Sequence, residues 1–373
     1  MINEISVAEM LESKISESKS KEKDFEASGQ GEKQQYGFQK HETLKCAFKE
    51  SKDSDFSDLD SKVSKSLDSE SKNGENNIQK KFVLVPFYFD GKPLADEKSP
   101  RWGMTLLSAG TMRFRWNEKN ENREKIFEEI LESENSREKK IVPIELIHSK
   151  IVVEAKNCGD TQNLQADGIV TKNRNLIPTV TVADCVPIFL YDTKTGAFGA
   201  FHSGWKGTGF AEAGVKKLAE LYGSKPEDIC AAIGPHIQSC CYNIDEERAK
   251  YFIENFGKDC VSENKFSESK SLENVREDSK SESSKKSVEN QDEKFPYALS
   301  LTQANLFILK KAGIKEENIV ATKDCTCCAK FSNGKNVFGS FRRQAASLPQ
   351  KILKNLEKEE LSRKMTVQAA FVI

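Results

Sequence analysis

The chain has 373 residues with 57 Lys and Arg against 58 Asp and Glu, a formal net charge of −1, so its overall balance offers nucleic acid or an anionic membrane no electrostatic handle. No apolar run is long enough to span a bilayer, and the N-terminus lacks the basic-then-apolar order of a secretory signal, which predicts a cytoplasmic protein. Ten cysteines in that reducing compartment point to metal ligation, catalysis or plain burial rather than to disulfides.

Residues 1–80 are rich in Ser, Lys, Glu and Asp and poor in large apolar side chains, which predicts a disordered low-complexity head followed by a folded domain over 81–373. The apolar run Phe82 to Phe89 reads as a buried strand ended by Asp90 and Gly91, and Ile126 to Leu131 lies in a Glu-rich helical stretch. Ile141 to Ile147 reads as a strand that carries His148 at its end, with Pro143 confining part of it to an edge or a bulge. Leu176 to Val182 is a further strand leading into a hairpin. In that hairpin Val186 to Tyr191 and Ala197 to Phe201 flank the polar Asp192 to Thr195 segment, with Gly196 behind it. If Tyr191 pairs with Gly196, Cys185 falls directly opposite His202, on the same face and with Cβ atoms about 5 Å apart.

After His202 comes Ser-Gly-Trp-Lys-Gly-Thr-Gly, then Phe210 to Tyr222 with Ala211, Val215, Leu218 and Tyr222 on one helical face. Ile229 to Ile233 is a strand ending at Gly234 and Pro235, and Asp245 caps a helix that runs to about Phe256. Residues 259–294 repeat the composition of the head and read as a disordered insertion at the surface. Leu301 to Ala312 is a helix closed by Gly313, and Ile319 to Ala321 and Val367 to Ile373 are strands. Strands and helices interleave with hairpins, so the predicted class is α/β (α+β) with mixed sheets.

Of the four histidines, His41 lies in the head and His236 follows a Gly-Pro turn, while His148 and His202 both end predicted strands. With Cys185 they form a His/Cys/His set, and three protein donors with an open fourth position are the arrangement of catalytic zinc. The same residues also fit a small buried thiol with two satisfied polar histidines. A third reading is a thiolate with a histidine base, in which Asp184 orients the histidine only if the strand has already ended. The Gly-rich turn presents Lys206 and Gly207 to a phosphate or carboxylate, and Arg342 and Arg343, at a predicted strand end, supply guanidinium groups for the same purpose. Cys240 with Cys241, and Cys325 with Cys327 and Cys328, contain enough sulfur for a structural zinc site. Adjacent cysteines rarely share one ion, however, and Cys-x-x-Cys spacing occurs only once, so buried thiols are the default reading.

The segments ADCVPIFLYD, GAFHSGWKGT, AAIGPHIQSCCYNI and FGSFRR, in this order, resemble the laccase-domain family. It is also known as the multicopper polyphenol oxidoreductase or purine nucleoside phosphorylase family, and its relatives include a peptidoglycan editing factor. The resemblance covers Ile141 to Arg343, with Leu146-Ile147-His148-Ser149 at the place of the family's upstream histidine and Ala166-Asp167-Gly168 matching the ADG that follows. The head of the domain, RWGMTLLSAGTMRFRW, departs from the family pattern except for Asn122-Arg123 beyond it, and Gln344-Ala345-Ala346 replaces the usual Gly-Arg.

The resemblance implies that His148, Cys185 and His202 are zinc ligands and that the fold is a layered sandwich of two mixed β-sheets with outer helices, similar to cysteine-hydrolase-like domains. It implies phosphorolysis of adenosine, inosine or guanosine, with methylthioadenosine cleavage and adenosine deamination as further activities. The expected partners are thus a small nucleoside and phosphate, without nucleic acid or membrane. The alternatives are a hydrolase removing misincorporated serine from a nucleotide-linked muropeptide, a copper-dependent polyphenol oxidase, and a non-catalytic metal-binding interaction protein. Three histidines in the folded part are too few for a multicopper cluster.

Overall fold

The computed structural model of the protein describes residues 2–13, 80–264, 295–349 and 356–373. Two mixed sheets dominate it. The first has seven strands in the order Asn3–Ile5, Ile319–Thr322, Ile229–Ile233, Val186–Asp192, Phe198–Ser203, Gly168–Thr171 and Val152–Glu154. The second has five, in the order Phe82–Pro86, Arg101–Thr105, Gln368–Val372, Leu176–Val182 and Lys140–Pro143.

Strand periodicity explains how the sheets stack, because alternate residues must leave opposite faces. Phe189 and Tyr191 enter a core shared with Val83, Trp102, Val180 and Ala370 of the second sheet, and the Trp102 and Phe189 rings stack with centroids 5.3 Å apart. The intervening Ile188 and Leu190 point the other way, into a core closed by the helices Phe210–Tyr222, Glu246–Phe256 and Leu301–Lys311. On the outer face of the second sheet, Ile177 and Phe371 pack against Phe127 and Ile130 of the helix Glu121–Ser133. The result is helix, sheet, sheet, helix, the layered sandwich expected. No helix among the described residues is long and apolar enough to cross a membrane.

Local chemistry sets the element ends. Asn120, Asp245 and Ser300 each accept a backbone N–H in the first turn of the helix that follows, satisfying a donor the helix itself leaves unpaired. The helix Phe210–Tyr222 has the predicted bounds and buries Ala211, Val215 and Leu218.

The structure corrects several expectations. The first residues of the predicted head belong to the fold. Asn3–Ile5 runs parallel to Ile319–Thr322, and residues 7–13 are helical with Val7 and Leu11 buried. The Asp324 carboxylate accepts from Ser6 Oγ at 3.0 Å, Val7 N at 2.6 Å and Ala8 N at 3.3 Å, holding that helix start. A composition averaged over the whole head conceals so short an apolar pattern. Residues 14–79, with His41, lie outside the described residues, as do 265–294 of the predicted insertion. The insertion's first residues instead continue the fold as the strand Val261–Glu263. The run Phe82 to Phe89 is two strands, Phe82–Pro86 and Tyr88–Phe89, the latter folding back on Lys92–Pro93 across Asp90 and Gly91.

The strand before His148 stops at Pro143, since proline has no N–H to continue a ladder, and it occupies the sheet edge as that residue requires. Arg342 and Arg343 lie in the helix Phe341–Ala346, capped by Ser340, and not at a strand end. In the hairpin, Tyr191 pairs with Phe198 and Pro187 with His202, so the register differs by two residues from Tyr191 against Gly196. The cause is the turn. Asp192 Oδ1 accepts from Lys194 N at 2.7 Å and Thr195 N at 3.0 Å, and Gly196 adopts φ +76°, so Gly196 is spent in the turn and pairing begins at Ala197. A shift of two keeps every side chain on its original face.

Candidate functional site

Cys185 sits where the chain passes from one sheet to the other. The strand Leu176–Val182 belongs to the five-stranded sheet and Val186–Asp192 to the seven-stranded one, leaving three residues for the crossing. Asp184 makes the bend with φ +77°, a conformation Asp tolerates better than most residues. Its strand has therefore ended, but its carboxylate serves another purpose. It accepts from Thr326 Oγ1 at 2.6 Å, Ser340 Oγ at 3.0 Å and Arg342 N at 2.7 Å, latching the helix that carries Arg342 to the crossing.

The residue that orients the histidine is Asp167, fully buried, immediately before the strand Gly168–Thr171. Antiparallel pairing of Phe201 with Gly168 brings Asp167 beside His202, whose Nδ1 lies 2.8 Å from Asp167 Oδ1. The same carboxylate accepts from His148 N at 3.0 Å, Ser149 N at 2.5 Å and Ser149 Oγ at 2.7 Å, and so fixes the bend in which His148 adopts φ +59°. Sequence reasoning passed over Asp167 as a functional residue. Its one signal was the Ala166-Asp167-Gly168 motif, and nothing local shows that this segment lies against His202.

His148, Cys185 and His202 meet with their donor atoms within 4.8 Å of one another, and the two imidazoles are perpendicular, with centroids 4.8 Å apart. With Nδ1 of His202 held by Asp167, Nε2 is left for the shared centre, the arrangement that raises the basicity of a metal-ligating histidine. The space between the donors is kept by Gly204. A Cβ there would come 3.0 Å from His148 Cδ2, 3.6 Å from Cys185 Sγ and 3.7 Å from His202 Cε1. One thiolate and two imidazoles around a space reserved by the backbone fit a metal ion. Gly204 has φ −72°, which any residue adopts, so Gly204→Ala leaves the fold intact while crowding the donors. Metal titration should show affinity falling by about 10- to 100-fold, as for other disturbances of ligand orientation; affinity equal to that of the unsubstituted chain would show that the space is not used.

The charges reinforce one another. Burial alone would raise the Cys185 thiol, but the His202 and His148 imidazoles beside it overcome that and bring its pKa down to about 6. Burial likewise disfavours the His202 cation, yet Cys185 and Asp167 together raise its pKa to about 9. Asp167 is held below the usual carboxylate range, its burial outweighed by hydrogen bonds from His202 and Ser149.

A cleft of about 410 Å³ opens on this centre, lined by His148, Cys185 and His202 together with Arg113, Arg115, Arg342, Phe114, Trp205, Tyr242 and Phe341. The Arg342 guanidinium carbon lies 5.5 Å from the Tyr242 ring centroid. Lys206 and Gly207 do not line this cleft, and Lys206 Nζ lies over the Trp205 ring, 5.3 Å from its centroid. Arg343 turns inward, donating to Thr326 O at 2.8 Å, Cys327 O at 2.5 Å and the Phe338 carbonyl. His236 is fully buried, with Nδ1 2.8 Å from Gly234 O and Nε2 3.0 Å from Thr302 Oγ1, and burial pushes its pKa down to about 4, so it stays neutral.

Comparison with known proteins places the chain in a family and matches its fold. The chain matches the multi-copper polyphenol oxidoreductase laccase family over residues 112–348. It is 36% identical over 107 residues to a purine nucleoside phosphorylase of Clostridium acetobutylicum, covering 28% of this chain and 44% of that protein. It is 33% identical over 162 residues to the purine nucleoside phosphorylase YlmD of Bacillus subtilis, covering 43% and 49%. To the mouse purine nucleoside phosphorylase LACC1 it is 44% identical over 88 residues, covering 23% and 20%. The chain thus spans less than half the length of each of these curated relatives. Among solved structures, the fold matches Bacillus licheniformis YfiH with a TM-score of 0.54 at 22% identity, over 73% of this chain and 92% of that one. It matches Geobacillus stearothermophilus YlmD with a TM-score of 0.52 at 21% identity, over 73% and 91%. With the family's match spanning more than half of its residues, this chain belongs to the multi-copper polyphenol oxidoreductase laccase family.

Proposed function

We infer that the protein is a zinc-dependent purine nucleoside phosphorylase acting in the cytoplasm on adenosine, inosine or guanosine. The observation that carries the reading is the three-donor centre opening on a cleft that combines aromatic rings with arginines. The relatives named above as purine nucleoside phosphorylases support it. His148, Cys185 and His202 would hold the zinc, which supplies a Lewis acid able to polarise a substrate oxygen or acidify water. The flat faces of Phe114, Trp205, Tyr242 and Phe341 suit a purine base, which buries apolar area by stacking. Arg342, held by Asp184 and exposed to the cleft, and Arg115 suit phosphate, whose charge a guanidinium meets with paired donors. Asp167 keeps His202 in one tautomer and orientation throughout.

Phosphorolysis consumes phosphate, and that provides the test. Incubation with each nucleoside should release the free base and ribose 1-phosphate in phosphate buffer and release no base without phosphate. Base release at equal rates in the two buffers would overturn the assignment. The same centre would serve methylthioadenosine cleavage, and ammonia release from adenosine reports deamination separately.

One observation favours a second reading. Asp167, His202 and Cys185 form a continuous acid, imidazole and thiol series, the arrangement of a cysteine hydrolase. A phosphate-independent hydrolysis of an amide- or ester-linked substrate, such as a serine-containing nucleotide muropeptide, that survives metal chelation would select it.

A further inference from the structure

A second cysteine cluster lies outside the cleft. The strands Ile229–Ile233 and Ile319–Thr322 are parallel neighbours, pairing Ala231 with Ile319 and Ile233 with Ala321. Both chains therefore leave the sheet at the same end. The first continues to Cys240 and Cys241 and the second to Cys325 and Cys328. A backbone bridge between His236 and Cys325, with Thr326 N donating to His236 O at 3.0 Å, holds the two segments side by side. The sulfur atoms of all four cysteines lie within 4.8 Å of one another, and Cys240 Sγ is 3.6 Å from Cys328 Sγ.

Burial accounts for only part of this grouping. Free cysteine is among the most buried residue types, and Cys230, Cys260 and Cys325 behave so, with Cys241 packed against the same core as Cys325, yet Cys240 and Cys328 are exposed and face each other. Four thiolates around zinc at about 2.3 Å place neighbouring sulfurs about 3.8 Å apart, so small side-chain rotations close the observed set into a tetrahedron. Gln238 N donates to Cys325 Sγ at 3.4 Å, an amide contact that would stabilise a thiolate ligand. Cys327 is not among the four whose sulfur atoms gather.

We propose that Cys240, Cys241, Cys325 and Cys328 bind a second zinc ion, a structural tetrathiolate site independent of the His148, Cys185 and His202 centre. The vicinal pair was expected not to share one ion; here both of its sulfurs fall within the cluster. The site clamps together two segments that shape the cleft. Ile237 and Tyr242 flank the first cysteine pair and line the cleft, while Thr326, between Cys325 and Cys328, donates to Asp184 and accepts from Arg343. Four protein sulfurs leave no open position, so this ion would fix the wall of the cleft and take no part in chemistry.

The test counts metal in the full chain purified under reducing conditions. The expected content is two zinc ions per chain, falling to one in Cys185→Ala and to one in the double variant Cys240→Ser with Cys328→Ser. Replacing zinc by cobalt in Cys185→Ala should give the strong thiolate charge-transfer absorption of a four-sulfur site. If the double variant does not fold, alkylation of the native, unsubstituted chain decides the matter. Cys240 and Cys328 should resist the reagent despite their exposure and become reactive when a chelator is added. Cys185→Ala without bound zinc, iron in place of zinc, disulfides among these four residues, or alkylation at the same rate with and without chelator would each overturn the proposal. None of these readouts depends on nucleoside turnover, so this site and the proposed activity stand or fall separately.

Discussion

If the proposed function holds, Cys185→Ala and His202→Ala are each expected to abolish metal binding at the three-donor centre and to lower nucleoside phosphorolysis by about 10³-fold. That loss corresponds to several kcal/mol of transition-state stabilisation at the centre, at about 1.4 kcal/mol per tenfold in rate. Cys185 supplies the single anionic donor, so its loss removes both a ligand and the charge that balances the cation. His202 is only 3% exposed, and its removal also leaves the buried Asp167 carboxylate without the imidazole 2.8 Å away. Circular dichroism separates a lost site from a lost fold, and metal content together with turnover under phosphate reads the effect. A Cys185→Ala chain that keeps both its metal at the three-donor centre and its turnover would exclude this centre as the seat of the reaction.

Asp167→Ala should be the most destabilising single change at the site. The carboxylate accepts from His148 N, Ser149 N, Ser149 Oγ and His202 Nδ1, and its removal takes that acceptor from all four. At about 1–3 kcal/mol for each buried donor left unpaired, and with part of the Ser149 loop reached by water, the expected cost is about 3–5 kcal/mol. Denaturant unfolding of the metal-free chain measures it. Metal affinity should fall by about 10- to 100-fold as well, because His202 loses its orientation. Asp167→Asn keeps the volume and one acceptor oxygen and should fall between the two. Affinity within twofold of the unsubstituted chain in Asp167→Ala would show that His148, Cys185 and His202 are positioned without it.

The parts of this molecule legible in the sequence are those whose causes lie within a few residues. The helix Phe210–Tyr222 follows from one apolar stripe, and the helix Glu246–Phe256 from the cap at Asp245. The hairpin was readable down to which face each residue takes, because a register error of two residues preserves parity. Its actual register depended on the Asp192 side chain entering the turn, a hydrogen-bonding choice that apolar alternation does not encode. The N-terminal strand Asn3–Ile5 was hidden for a different reason: it is stable only as an edge beside Ile319–Thr322, more than three hundred residues away.

By itself the sequence determined the class of fold, most of the elements and, through its motifs, the three residues His148, Cys185 and His202. Only the tertiary structure decided what surrounds them. Asp167 reaches His202 across 35 residues, Asp184 reaches Thr326 across 142, and Cys240 meets Cys328 across 88. Such contacts exist because two sheets stack and parallel strands leave one sheet at the same end, a result of burying both faces of each sheet at once. Periodicity and turn chemistry act along the chain, whereas the carboxylate beneath the histidine and the four gathered sulfurs are set by which strands become neighbours.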